Sequence, residues 1–321
     1  MSLTGIERRR QGARAPEPTT TTLGLLDAPS ARPYRLSRWA PPADLADRVE
    51  RFWAVGWWLP EGAAGASRLL PHPCVNLVVD EHGRALVAGC GREVFAYPLH
   101  GEGAVVGVKF RAGAFRAYLG RDVAELTGRT LPASAVWPRP PWAGDAEFQD
   151  RLRAAVAEVA RELHHEPRPH VSTLADVDAE PPGPACASAT RLLADALRQA
   201  RVPAVVPGSA EDDAGRAVAA LLTDPRVRRV GDVAAMLGLA PRELQRLFRR
   251  HVGVTAAEVL RRGRMHLVAD RVESLVASGA TPDWAGLAAD LGFADQPHFI
   301  REFRAVLGAT PAVYAASLVR A

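Results

Sequence analysis

The feature that most constrains this chain is a repeat in its C-terminal third. The segment that begins at Val230 recurs at Trp284, with matching residues 54 or 55 positions apart. A repeat of this length indicates one supersecondary unit used twice. The matched pairs are Ala234 with Ala288, Gly238 with Gly292, Leu244 with Phe299, Arg246 with Arg301, Phe248 with Phe303, Arg249 with Arg304, Gly253 with Gly308 and Thr255 with Thr310.

Each copy has the pattern of a helix–turn–helix. Apolar residues at helical spacing precede Gly238, and glycine ends a helix readily because it adopts the left-handed conformation. Pro241 is a good first residue for the next helix, and Asp295 is a natural N-cap at the same place in the second copy. Between the copies, Thr255 and Glu258 form a capping box before a helix that we expect to run from Ala256 to about Ala277.

The second helix of each copy has an apolar face and an outer face rich in Arg and Gln. Arg can pair with guanine and Gln with adenine in the major groove, each through two hydrogen bonds. A merely solvated surface would explain one such helix, but two copies with matched arginines and a glutamine in each favour DNA contact. The outward residues are Arg242, Gln245, Arg246, Arg249 and Arg250 in the first copy, and Gln296, His298, Arg301 and Arg304 in the second.

The charge of the chain is concentrated in the same region. The formal net charge is only +4, but residues 216–321 hold 15 Arg against 10 Asp and Glu, which leaves −1 on residues 1–215. This asymmetry is typical of a chain in which one domain meets nucleic acid. The connecting helix would span about 33 Å, close to the roughly 34 Å of one turn of B-DNA, so two recognition helices could enter successive major grooves.

These residues give the C-terminal segment a clear resemblance. Ala214 to Ala321 resembles the DNA-binding domain of AraC-family transcription regulators, most closely over Leu291 to Tyr314, with Gly292, Phe293, His298, Phe299, Phe303, Gly308, Thr310 and Pro311 in place. The resemblance implies base reading by Arg242, Gln245, Arg246, Gln296, Pro297 and Arg301, although Pro297 offers no side-chain donor or acceptor. We expect phosphate contacts from Arg249, Arg250, Arg261, Arg262, His298 and Arg304.

The N-terminal two-thirds has strand-like runs followed by helical ones, and the overall prediction is an α+β chain of two domains. We expect strands at Phe52–Leu59, Cys74–Val79, Ala85–Ala88, Glu93–Tyr97 and Val105–Phe110, then helices at Ala114–Leu119, Val123–Leu126 and Ala146–Leu163. Phe52-Trp53, Pro71-His72-Pro73 and the run Gly107 to Ala114 resemble a sensor-like domain of uncharacterised function, which implies a cupin-like β-rich barrel with trailing helices. For Trp53, Trp57, Trp58 and Tyr97, a buried aromatic core is favoured over a ligand cage.

The predicted organisation has four parts: a disordered tail over 1–32, a sensor domain over 33–163, a Pro-rich linker with one helix over 164–213, and the all-α DNA-binding domain over 214–321. The expected partners are duplex DNA and an unknown small-molecule effector, while RNA polymerase and a second copy of the chain stay open. No apolar run approaches the length of a membrane span, no secretory signal is evident, and three scattered cysteines fit a reducing cytoplasm.

Two other functional classes compete with a sequence-specific regulator. One is a non-specific architectural DNA binder. The other is a metal-dependent enzyme fused to a regulator, for which His72, Cys74, Cys90 and His100 are the candidate ligands. Their spacing lacks the close Cys or His pairs typical of zinc sites, and a methyl-transferring cysteine domain would need four cysteines. We therefore predict no enzyme activity and no cofactor.

Overall fold

The structure is a computed structural model that describes Leu26 and residues 33–139, 141–165, 182–224 and 226–319. Apart from Leu26, the predicted tail lies outside these residues, as do residues 166–181 of the predicted linker. The described part has a β-rich N-terminal domain and an all-helical C-terminal domain, which confirms the predicted fold class. Among the described residues, no helix combines the length and apolar character that crossing a bilayer requires.

The N-terminal domain contains eight strands among the described residues: β1 Tyr34–Trp39, β2 Val49–Trp58, β3 Ala64–Leu69, β4 Asn76–Val79, β5 Ala85–Ala88, β6 Phe95–His100, β7 Glu102–Phe110 and β8 Thr130–Pro132. Six of them form an antiparallel sheet in the order β1-β2-β7-β4-β5-β8, and β3 pairs with β6 in a separate two-stranded sheet. Three of these strands, β1, β3 and β8, are additional to the five predicted runs.

Helices cover one face of the six-stranded sheet. Short helices α1 (Arg116–Leu119) and α2 (Ala133–Val136) precede two long ones, α3 (Ala146–His165) and α4 (Pro184–Gln199). Alternate residues of the strands, such as Phe52 on β2 and Val108 on β7, form one buried core with α3 and α4. The sequence analysis predicted that α4 belongs to the linker between the domains. In the structure, the apolar face of α4 packs in the core of the N-terminal domain.

The predicted aromatic cluster is divided between the two faces of this sheet. On the face opposite the helices, Trp57 is buried and meets Tyr97 edge to face, with ring centroids 6.0 Å apart. Trp58 points the other way, because neighbouring residues on a strand alternate, and stacks on His164 at 4.9 Å. Trp53 is half-buried against Gly107 of the next strand, where a side chain would collide with the indole ring.

The C-terminal domain contains seven helices among the described residues. They are α5 Ala210–Thr223, α6 Val230–Leu237, α7 Pro241–His251, α8 Ala256–Ala277, α9 Trp284–Asp290, α10 Gln296–Leu307 and α11 Pro311–Val319. The long helix α8 has the bounds that the sequence predicted, and α6–α7 and α9–α10 are the two repeated units.

Candidate nucleic-acid interface

The first helix–turn–helix unit owes its geometry to a few residues. Gly238 ends α6 with φ of +65°, and the next amide, Leu239 N–H, donates to the Ala234 carbonyl at 2.9 Å. Glu243 then accepts from the Ala240 amide at 2.9 Å, which satisfies a backbone donor at the start of α7. The turn therefore sets α7 at a fixed angle to α6, as a recognition helix requires.

Helix α7 separates its core residues from its polar residues. Leu244, Leu247, Phe248 and His251 are buried against the rest of the unit. Arg242, Gln245, Arg246 and Arg249 are exposed and line one surface depression, because positions i, i+3, i+4 and i+7 share a helix face. Arg250 is also exposed and lies beside this face.

The second unit repeats the arrangement. Gly292 lies in the turn with φ of +75°, and the Asp295 carboxylate accepts from the His298 amide at 2.6 Å as the N-cap of α10. Phe299 and Phe303 are fully buried in the core of this unit. The exposed residues of α10 that the sequence assigned to DNA are Gln296, Pro297, Arg301 and Arg304.

His298 is the predicted DNA residue of α10 that is only half-exposed. Its Nδ1 accepts from the Ala294 amide at 3.4 Å, and its ring meets Phe293 edge to face. One side of this imidazole therefore contacts the turn between α9 and α10.

Arg262 corrects one sequence prediction. Its side chain is 2% exposed and donates from Nη1 to the Cys90 thiol at 3.2 Å, so it cannot reach a DNA phosphate. The pKa of the Cys90 thiol is raised by burial, so the sulfur meets the guanidinium as a neutral acceptor. The helical spacing of Val259, Arg262 and His266 on the buried face of α8 is the signal that could have revealed this.

Two further arginines that the sequence assigned to DNA phosphates remain on the surface, each beside a carboxylate. Arg261 is 43% exposed and lies 3.9 Å from the Glu302 carboxylate of α10. Arg249 is 72% exposed and lies 3.4 Å from the carboxylate of Asp122, which belongs to the N-terminal domain. Sequence reasoning missed Asp122, since nothing in the sequence relates two residues that far apart.

The N-terminal domain contacts the end of α7 directly. The Thr127 hydroxyl donates to the Gly253 carbonyl at 2.5 Å, and a Cβ at Gly253 would lie 3.2 Å from Val123. Gly253 also has φ of +94°, so this close approach requires glycine in two respects. Helix α7 of the first unit is therefore anchored to the N-terminal domain at its C-terminal end.

A buried polar cluster forms a second contact between the domains. His72 from the N-terminal domain stacks on His266 of α8, with ring centroids 4.2 Å apart. Burial is the main cause that lowers the pKa of His266 to about 3, with a contribution from the positive charge of Lys109. Burial likewise holds the pKa of His72 well below its usual range.

The candidate metal ligands of the competing enzyme hypothesis do not form a site among the described residues. His72, Cys74 and Cys90 are buried near this cluster, whereas His100 is exposed at the end of β6. Within the described ranges, no three His, Cys, Asp or Glu side chains come together in a way that could hold a metal ion.

Comparison with known proteins agrees with this organisation. Residues 233–317 match a family described as a helix-turn-helix domain, and residues 37–132 match a domain of unknown function, DUF6597. The C-terminal match agrees with the helix–turn–helix units that the sequence predicted. A search of curated proteins finds no match.

Solved structures of ToxT from Vibrio cholerae resemble the chain at low identity. An apo ToxT variant from strain SCE256 is 12% identical, covers 83% of this chain and 97% of that chain, and has a TM-score of 0.41. ToxT from strain O395 is 11% identical over 90% of this chain and 98% of that chain, with a TM-score of 0.35. Wild-type ToxT with a bound unsaturated fatty acid is 10% identical over 90% and 96%, also at 0.35. Because these TM-scores are below 0.5, the function of this chain has to be argued from its own residues.

Proposed function

We propose that this protein is a sequence-specific transcription regulator that places α7 and α10 in successive major grooves of duplex DNA. The observation that carries the proposal is the repeated helix–turn–helix unit. In each copy, the second helix buries its aromatic and aliphatic residues and exposes Arg and Gln. Solvent exposure leaves these side chains available to base edges, and Arg and Gln are the residue types that read guanine and adenine.

The two helices would contribute unequally. In α7, Arg242, Gln245 and Arg246 share one exposed face and would read bases together. In α10, Gln296 and Arg301 would read bases, while Pro297 has only apolar atoms with which to contact a thymine methyl group. We therefore assign most of the sequence discrimination to α7.

Phosphate contacts would hold both helices in register. Arg249, Arg250, Arg261 and Arg304 are exposed around the two recognition faces, and His298 is half-exposed. Such contacts carry little sequence information but fix orientation on the duplex and make binding depend on salt. With its 22 residues, α8 would span about 33 Å, which suits two grooves on one face of DNA.

For the N-terminal domain we propose a regulatory role, either binding of a small-molecule effector or dimerisation. Support comes from its direct contacts with α7 and α8, through which a change in this domain would reach the DNA-binding units. An effector, RNA polymerase and a second copy of the chain are the partners that this role implies.

Selection from a library of random duplexes, followed by competition binding, tests the proposal. We expect a selected site with two conserved blocks whose centres lie about 10 to 10.5 base pairs apart, one block per unit. The selected site should bind at least about a thousandfold more tightly than random DNA at physiological salt. A steep salt dependence without any enriched sequence would instead identify a non-specific architectural binder.

A further inference from the structure

Among the described residues, the two helix–turn–helix units have separate hydrophobic cores, and α8 contributes residues to both. Ala256 and Val259, near the start of α8, pack in the core of the first unit. Met265, Val268 and Val272, further along the same helix, pack in the core of the second unit. Residues 260–264 of α8 lie between the two cores, so this short stretch contributes to the angle between the two recognition helices.

This stretch contains a glycine inside the helix. Gly263 allows close approach of α5, because a Cβ there would lie 3.0 Å from Leu222 Cδ2 and 3.4 Å from the Leu221 carbonyl oxygen. Glycine also weakens a helix interior relative to alanine. Gly263 thus leaves α8 without a side chain at the junction between the two cores.

Arg264 lies at this junction and contacts both units. Its Nη2 donates to the Arg228 carbonyl, in the loop before α6, at 2.7 Å. The same guanidinium lies over the Phe293 ring of the second unit, 5.7 Å from the ring centroid. Its Nη2 is also close to the second turn, since a Cβ at Gly292 would lie 3.5 Å away.

We propose that Arg264 is a positioning residue that fixes the angle between the two units, and with it the spacing of DNA half-sites that the chain accepts. The planar guanidinium suits this role because it can donate at its edge while its face lies on an aromatic ring. The consequence for DNA rests on the proposed function, whereas the effect on the angle between the units does not.

Distance measurement between spin labels tests the effect on the angle without DNA. Met236→Cys on α6 and Val313→Cys on α11 provide exposed labelling sites, and the three native cysteines are buried. We expect one narrow distance distribution with Arg264 present and a clearly broader one in Arg264→Ala. Arg264→Lys, which keeps the charge and a donor, should restore part of the narrowing.

Arg271→Ala is the matched control. Arg271 is also on α8, but its partner at 3.2 Å is Asp290 of the second unit, so this ion pair does not bridge the two units. Its distance distribution should match that of the unsubstituted protein. An unchanged distribution in Arg264→Ala, or equal broadening in both variants, would overturn the proposal.

Binding to the selected site tests the consequence for DNA. Arg264→Ala should bind the complete site about tenfold more weakly and bind a site with a scrambled second block unchanged, because only the coupling of the units is lost. Its affinity should also vary less when one base pair is inserted or removed between the blocks. An equal loss on both sites would contradict a positioning role. If the unsubstituted protein ignores the second block, the two-groove function fails, while the distance measurement still decides the role of Arg264.

Discussion

At the scale of single residues, two arginines of α7 should differ in what they recognise. Arg246 lies on the face shared with Arg242 and Gln245, whereas Arg250 is exposed beside it. We predict that Arg246→Ala weakens binding to the selected site by about 1–3 kcal/mol and relaxes preference at one base pair. Arg250→Ala should weaken selected and random DNA alike. Competition binding with both DNAs measures this, and equal losses in the two variants would mean that the roles are wrongly assigned.

Residue exposure was predictable from the sequence only where local periodicity determines it. Leu244 and Phe248 identify the buried face of α7, so the exposure of Arg242 and Arg246 follows from helical geometry. Arg262 was assigned wrongly because the surface that buries it belongs to the other domain, where Cys90 lies 172 positions away in sequence. The helical spacing of Arg262 with Val259 and His266 could have indicated the buried face of α8, but it does not identify a partner at that separation.

At the scale of elements, the turn of the first unit depends on one left-handed residue. Gly238 has φ of +65°, whereas Gly231 lies in α6 without a positive φ and has open space where a Cβ would stand. We predict that Gly238→Ala lowers the free energy of unfolding by about 1 kcal/mol, because alanine is strained in the left-handed region. Gly231→Ala should raise it by up to about 1 kcal/mol, since alanine is the better helix former.

Urea denaturation of the two glycine variants measures both effects on one helix. The opposite signs separate the requirement at the turn from any general intolerance of α6 to substitution. If both variants lost stability equally, the conformation of Gly238 would not be the cause.

Elements with a local signal were predicted well. The capping box of Thr255 and Glu258 is present, with the Glu258 carboxylate accepting from the Thr255 amide at 2.8 Å. The short strands β3 and β8 gave no clear alternation and were not predicted. The helical period of α4 indicated a helix but not the surface that its apolar face covers, because periodicity is the same whichever domain it packs against.

At the scale of the whole molecule, the two domains meet through polar contacts as well as apolar ones. Arg48 of the N-terminal domain is buried and pairs with Glu211 of α5 at 3.1 Å. Cys90 and Ala112, also from the N-terminal domain, pack in the core of the first helix–turn–helix unit. The sequence predicted two domains but not this interface, which unites residues from distant parts of the chain.

The stacked pair of His72 and His266 should make this interface sensitive to acid. Both imidazoles are buried in the folded protein, where desolvation lowers the pKa of each, that of His266 to about 3. In the unfolded chain a histidine titrates near pH 6.5. Above that value both states bind no proton at these sites and the full stability is present. Below it the unfolded chain takes up protons that the folded state excludes, so the stability falls as the pH falls.

We therefore predict that His266→Gln flattens the dependence of unfolding free energy on pH between 6.5 and 5. A histidine that is neutral in the folded state but protonated in the unfolded chain steepens the dependence of unfolding free energy on pH by up to about 1.4 kcal/mol per pH unit. His266→Gln removes one such histidine. Urea denaturation at several pH values measures the slope. His82→Gln, at a side chain that is 67% exposed, is the comparison for the same substitution on the surface. If His266→Gln keeps the slope of the unsubstituted protein, then His266 is protonated in the folded state and the neutral stacked pair does not stabilise the interface.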